Sequence, residues 1–536
     1  MTFIRQKLPL AYLSLLVALS VSVSGCDDGD AGEDFEDATS DLGDGSPDTD
    51  GQAIVCESSF AEATSGEAYE LLDLIGEDVT GEFRSFSSPR AHDLDGDGCQ
   101  DFVFGSGVER DDTDPDGEFD GMVIAIDGAT GEVMWERGVA GEVVGSAQFL
   151  ETASGELRVL IGGRYATFVA LDANTGEVEW RADETEITSN PGILNFYTPL
   201  IVSDRNDDGT DDILTVYGGD PTRAVGESRP PGHVVLFDGE SGDILAARQT
   251  PDGRESYTSP TRYRRSEDSA ATSEQFVFGT GGETLAGAVF LASVSDVMDE
   301  EVTAWSTQIG ESSGGKGLIA PVTIADVDGD DVRDFIINFF GGEVRAVSGA
   351  DLSEIWSTSF EGEESNQTPA IAKIGEGELG VAVTHNVGVF PQYTAVNHRL
   401  LDASTGEVLE EWNESLGFAS SPLAIDINDD GIDEILLGAT TFGGGQTTSS
   451  YLVHDVAADS TTRFDLDFAM VSTPLAFASD ADGRFELAMV GFAAASGEAF
   501  PEWSFQRRYL AGESPDEWTW GAYLGTCENG LFPCER

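Results

Sequence analysis

Residues 87–107 read SSPRAHDLDGDGCQDFVFGSG. A small polar pair and a proline open a short apolar stretch. An acidic loop of the form Asp-x-Asp-x-Asp-Gly-x-x-Asp follows, and then an apolar run, Asp101-Phe-Val-Phe, ends in glycine. Two short β-prone runs on either side of a polar, glycine-bearing turn read as a pair of adjacent strands. The chain continues with an alternating run at 122–127 (MVIAID), the turn Asp127-Gly-Ala-Thr-Gly-Glu and a last run closing on Trp135. The Thr-Gly step suits a tight hairpin, because its positive φ is cheap only for glycine. Four short strands in about fifty residues make one blade of a β-propeller.

The opening landmark returns at Pro89, Ala147, Pro199, Pro260, Pro321, Pro369, Pro422 and Pro474. A period in the mid-fifties over eight copies is the pattern of a propeller or a related array. The glycine-ended run returns as VLIGG, DILTVYGG, QFVFGTGG, DFIINFFGG and EILLGA, and the Thr-Gly turn leads to Trp180 and Trp412, with weaker copies at Trp305 and Trp356. These tryptophans are expected to cover the gaps between neighbouring blades. The expectation is therefore an all-β, single propeller of eight four-stranded blades. Seven is the alternative, because the second and fourth copies are the least regular. The strand-like stretch from Tyr69 to Phe83 should close the ring against a last blade running from about Met470 to Thr526, removing exposed sheet edges.

Alternate copies carry the acidic loop. Its ligand positions are Asp93, Asp95, Asp97 and Asp101 in the first blade and Asp204, Asn206, Asp208 and Asp212 in the third. They are Asp326, Asp328, Asp330 and Asp334 in the fifth and Asp426, Asn428, Asp430 and Glu434 in the seventh. A fifth copy in the last blade has Ala478 at its first position, and Asp331 stands where the fifth-blade loop should have glycine. Oxygen ligands at positions one, three, five and nine around a sharp turn suit a hard cation, and Ca²⁺ fits the spacing, as in the EF-hand loop. Two unit charges about 4 Å apart repel by about 4 kcal/mol at an effective dielectric near 20, so a loop crowding three or four carboxylates needs an ion to hold it. About four structural Ca²⁺ sites are expected, with no open position for catalysis.

The chain ends bound its setting. Residues 1–25 read as a lipoprotein export signal, with Arg5 and Lys7 before an apolar run, and Val23-Ser24-Gly25-Cys26 reads as a lipobox whose Cys26 is acylated. Residues 26–60 are a disordered acidic tether, too poor in apolar residues to offset ordering entropy, and the propeller occupies 61–536. A formal net charge of −73 excludes nucleic acid and anionic lipid surfaces as partners. Cys56, Cys99, Cys527 and Cys534 form an even set, as two disulfides would require in an exported chain, and three pairings are open.

The Asp-x-Asp-Gly-Asp-Gly loops followed by FVFG-like strands resemble the FG-GAP and VCBS-type repeats of integrin α-chain propellers and bacterial surface proteins. The Asp-Ala-x-Thr-Gly-Glu-x-x-Trp turns resemble quinoprotein-like (PQQ-like) propeller repeats, including those of the lipoprotein of the barrel-assembly machinery. The resemblance implies Ca²⁺ in the loops. It does not imply quinone chemistry, since neither adjacent cysteines nor a Cys-x-x-Cys-His haem site is present. The expected function is a non-enzymatic protein- or glycan-binding scaffold at a bacterial envelope, anchored through Cys26 at the outer membrane or cell surface rather than the inner membrane. A polysaccharide lyase or glycosidase is the alternative, followed by a quinoprotein-like dehydrogenase.

Overall fold

The computed structural model describes residues 71–73 and 79–532, apart from 82, 109–119, 188–193, 221–222, 224–226, 267–273, 391, 416, 444–445, 479–483, 494–501, 514–517 and 528. The export segment, Cys26, the tether, Cys56, Cys534 and the turn of the acidic loop in the last blade lie outside the described residues. Among the described residues no helix is long and apolar enough to cross a membrane.

The chain forms eight antiparallel sheets, which are the eight blades. The first blade is Arg90–His92, Asp101–Gly107, Gly121–Ile126 and Val133–Val139. The second, Gln148–Glu151 to Val178–Arg181, and the fourth, Thr261–Tyr263 to Ser306–Glu311, are regular four-stranded sheets despite their weaker sequence pattern. In most blades the second and third strands are buried almost throughout, as with Asp101–Gly107 and Glu343–Val347, because blades stack on both faces; the longer strands Glu378–Val389 and Gln392–Asp402 of the sixth blade expose their outer ends. The outer strands alternate, as Val133–Val139 does. Helix is confined to Glu184–Ile187 and Val294–Met298 among the described residues.

The ring closes as expected. Leu71–Asp73 and Val79–Gly81 pair with Trp503–Glu513, so the N-terminal chain supplies the outer edge of the eighth blade. The end of that blade needs a correction. Its last described strand ends at Glu513, and residues 518–527 and 529–532 leave the sheet to cross the inner strands of other blades. Trp520 exchanges backbone hydrogen bonds with Ala424 of the seventh blade at 2.9 and 3.0 Å. Ala476 of the eighth donates to Gly521, Arg262 of the fourth to Asn529 and Ile324 of the fifth to Gly530, while the Arg90 guanidinium of the first blade donates to the Tyr523 carbonyl at 2.7 Å. Trp520, Leu524 and Leu531 are buried. The segment is a plug across the centre of the ring.

Candidate metal loops and central cavity

The acidic loops all link the innermost strand of a blade to the second one. In each, the first aspartate caps the turn. Asp93 accepts the amides of Gly96 and Gly98 at 2.8 and 3.0 Å, and Asp326 those of Gly329 and Asp331 at 2.8 and 2.9 Å. Positions four and six are both left-handed in the four described loops: Gly96 and Gly98, Asp207 and Gly209, Gly329 and Asp331, Asp429 and Gly431. Asp331 thus adopts the glycine conformation at φ 65°, which an aspartate tolerates better than most residues. The sequence reading found position six only.

Position nine has a second task. Asp101, Asp212 and Asp334 are buried at the first residue of the second strand. Each takes an amide from its own loop and one from the next hairpin: Leu94 and Gly128, Arg205 and Gly239, Val327 and Gly349. Burial pushes all three carboxyls up to about 6, against the pull of those amides. A cation beside them would hold them ionised.

The carboxylates of Asp93, Asp95 and Asp101 lie within 4.8 Å of one another, as do those of Asp326, Asp328 and Asp334. Asp97 and Asp330 sit in the same loops, their oxygens accepting the Cys99 and Val332 amides. In the third and seventh blades asparagine replaces the middle carboxylate. Asn206 donates to Asp208 and Asp238, and Asn428 donates to Glu434 at 2.5 Å. Asp204 and Asp426 cap those loops through Gly209 and Gly431, and Asp208 and Asp430 accept from Thr210 and Ile432. These clusters can bind metal ions. Cys99 and Cys527 are each in a disulfide.

At the other end of the innermost strands lies a cavity of about 220 Å³ on the ring axis. The landmark that counted the blades forms its wall, with Ser88, Ser146, Thr198, Ser259, Gln367, Ser421 and Thr473 among the lining residues. Their hydroxyls bind blade to blade: Thr198 accepts from Ser146, Ser421 from Thr368 and Ser88 from Thr473, the last joining the eighth blade to the first. Aromatic side chains add to it, including Tyr197, Tyr257, Phe340, Phe390 and Tyr393, with the plug's Tyr523 as floor. Tyr257 donates to Glu255 at 2.9 Å and Tyr393 to Glu364 at 2.7 Å. Burial raises the hydroxyls of Tyr197, Tyr257, Tyr393 and Tyr523 above the ordinary phenol value, so none serves as a phenolate base at neutral pH. Asn195 and Asn386, each 4% exposed, line the same space with side-chain carbonyl oxygens that have no hydrogen-bond partner. No spacing rule singled these two residues out.

Residues 121–270 match the FAM234A/B beta-propeller family. Protein FAM234A of Mus musculus is 33% identical over 97 residues, 17% of this chain and 17% of that protein. The chain therefore spans under a quarter of the length of the curated relatives it matches, and the family match falls within the first four blades. Among solved structures, a europium-containing methanol dehydrogenase is similar with a TM-score of 0.53 and 13% identity, over 82% of this chain and 93% of that one. The quinohaemoprotein alcohol dehydrogenase of Comamonas testosteroni gives 0.50 and 11%, over 83% and 77%. At such identities the likeness is one of fold, and it agrees with the expected quinoprotein-like propeller. The FAM234A relative is mammalian, whereas the sequence motifs resembled those of bacterial surface proteins.

Proposed function

We propose that this chain is a calcium-stabilised propeller that binds a group of a protein or glycan in its central cavity without catalysis, held at a bacterial envelope through acylated Cys26 and the acidic tether. The observation that carries the binding reading is the pair of buried, unpartnered oxygens of Asn195 and Asn386 inside an aromatic wall. An unsatisfied buried acceptor costs about 1–3 kcal/mol, and a hydroxyl- or amide-bearing ligand relieves it while its apolar face rests on the aromatic rings. At about 220 Å³ the cavity falls below the roughly 300–1,000 Å³ of drug-sized sites, so it receives the end of a chain instead of its middle. Calcium in the four loops is favoured by the clustered carboxylates and by the buried ninth position.

Chemistry is less well supported. A glycosidase needs two carboxyl groups flanking the scissile bond, and Glu283 is the one carboxylate among the described lining residues. A quinone carrying carboxylates would need counter-charge. The cationic lining residue is Arg164, which already donates to Glu142 at 2.6 Å, so the residues present do not fit that cofactor.

The test is a glycan and peptide array probed with the calcium-loaded protein, the Asn386→Ala variant and the Tyr393→Ala variant. Retention of a defined class by the wild type and its loss in both variants is the expected result. Equal retention by all three removes the cavity from the reading, and turnover of a retained glycan replaces it with the lyase or glycosidase alternative.

A further inference from the structure

Three of the eight seams between blades carry the same lock. The Trp135 indole donates to the Ala173 carbonyl at 2.8 Å and lies over Gly176 of the next blade's Thr-Gly turn. Trp356 does the same with Ala403 at 2.7 Å and Gly406, and Trp180 with Gly239 at 3.4 Å and Gly242. The seam between the sixth and seventh blades departs from this. The seventh-blade turn reads Asp455-Val-Ala-Ala-Asp459 and has no Thr-Gly step. Trp412 instead stacks on His454, with centroids 3.9 Å apart and planes 13° from parallel, and its indole nitrogen is buried without a partner.

At this seam one imidazole and two carboxylates converge instead. Glu410 comes from Val408–Ser415 of the sixth blade, His454 from Gln446–Asp455 of the seventh, and Asp459 from the turn that follows. One ligand atom from each lies within 4.8 Å of the others. His454 is 3% exposed, its Nδ1 2.9 Å from Thr461 Oγ1 and its Nε2 2.6 Å from Glu410 Oε2.

We propose that Glu410, His454 and Asp459 bind a zinc-class divalent ion that ties the sixth blade to the seventh. One imidazole nitrogen and two carboxylate oxygens make a borderline donor set that zinc accepts with water as a fourth ligand, unlike the all-oxygen loops that suit calcium. With Nε2 on the metal, Nδ1 carries the ring proton and Thr461 Oγ1 accepts it, which orients the ring, the usual task of an outer partner. Two ligands about 2.0–2.1 Å from a tetrahedral zinc stand about 3.3 Å apart, so the His454–Glu410 contact opens on binding.

The site is tested on the full chain with Ca²⁺ saturating, so that the acidic loops do not compete. Titration with Zn²⁺ should reveal one site, with a rise in Tm. His454→Gln should abolish it. Asp459→Asn, at an exposed turn position that leaves the fold intact, should weaken it at least tenfold, and Thr461→Val by about 10–100-fold. Absence of a zinc site in the wild type, or an unchanged affinity in Asp459→Asn, overturns the proposal.

Discussion

Asp101 Oδ1 accepts the backbone amide of Gly128 at 2.8 Å, tying the first acidic loop to the hairpin beyond the adjacent strand. Gly128 is the residue after the aspartate of the Asp-x-x-Thr-Gly turn, and a Cβ built there would lie 1.8 Å from the Gln100 carbonyl oxygen. Gly239 and Gly349 meet Asp211 and Arg333 carbonyls in the same way, at 2.0 and 1.9 Å. The loop and the hairpin approach so closely that no side chain fits between them.

Gly128→Ala should therefore destabilise the protein by about 3 kcal/mol, the upper range for forced overpacking, since the obstacle is backbone and cannot rotate away. Gly96→Ala is the contrast. It sits at φ 81° with nothing within 4 Å of its Cβ, so only left-handed strain of about 1–2 kcal/mol applies. Denaturant unfolding of both variants at saturating Ca²⁺ checks the order, and a Gly128→Ala protein as stable as Gly96→Ala would refute the packing argument.

Calcium should bind in two classes. The first and fifth blades bring three carboxylates together, whereas Asn428 must release Glu434, and Asn206 must release Asp208 and Asp238, before their oxygens face an ion. Titration of the dialysed protein should show four sites, two tighter and two weaker, and Asp326→Asn should remove a tight one. Each site at 100 times its Kd adds about 2.7 kcal/mol, so EDTA should lower Tm by many degrees. A Tm indifferent to EDTA contradicts this.

Much of this was legible in the sequence because it repeats. Eight landmarks gave the blade count, and four in-phase loops gave their own positions between first and second strands. What does not repeat stayed hidden. Residues 518–532 carry no blade pattern, and their partners, such as Arg90 for Tyr523 and Ala424 for Trp520, are set by backbone groups far away in sequence. The landmark itself was readable as a period but not as a wall, because its inter-blade hydroxyl bonds depend on ring closure. Asn195 and Asn386 have no motif, and only burial without a partner marks them.

Acid should destabilise the sixth blade through its two buried histidines. Burial, and then the charge of Arg399, lowers His385 from 6.5 to about 3; burial, and then His454, lowers His398 likewise to about 3. Each makes one hydrogen bond, His385 to Asn338 and His398 to Thr384, and each has a second ring nitrogen buried without a partner. The unfolded chain takes up these protons first, so the stability they confer is complete above about 6.5 and is lost as pH falls toward 3. Each adds at most about 1.4 kcal/mol per pH unit to the slope in that window. His385→Gln with His398→Gln should flatten the stability profile below pH 6.5, and an unchanged slope would show that these rings do not titrate on unfolding.

The plug should be an integral part of the ring's stability. Trp520 is fully buried among the inner strands, pairs with Ala424 in both directions, and belongs to the same apolar cluster as Ala372, Ile435 and Leu437. Thr519 beside it donates to Asp433, within the acidic loop of the seventh blade, at 3.1 Å. Trp520→Ala leaves a large void among strands that cannot collapse inward, because the blades hold them, so the cost should reach about 3–5 kcal/mol. The loss should be felt by the seventh blade first, as faster amide exchange at Leu423–Ile425 than at Arg90–His92. Uniform exchange across all blades would mean that the ring unfolds as one unit whatever holds its centre.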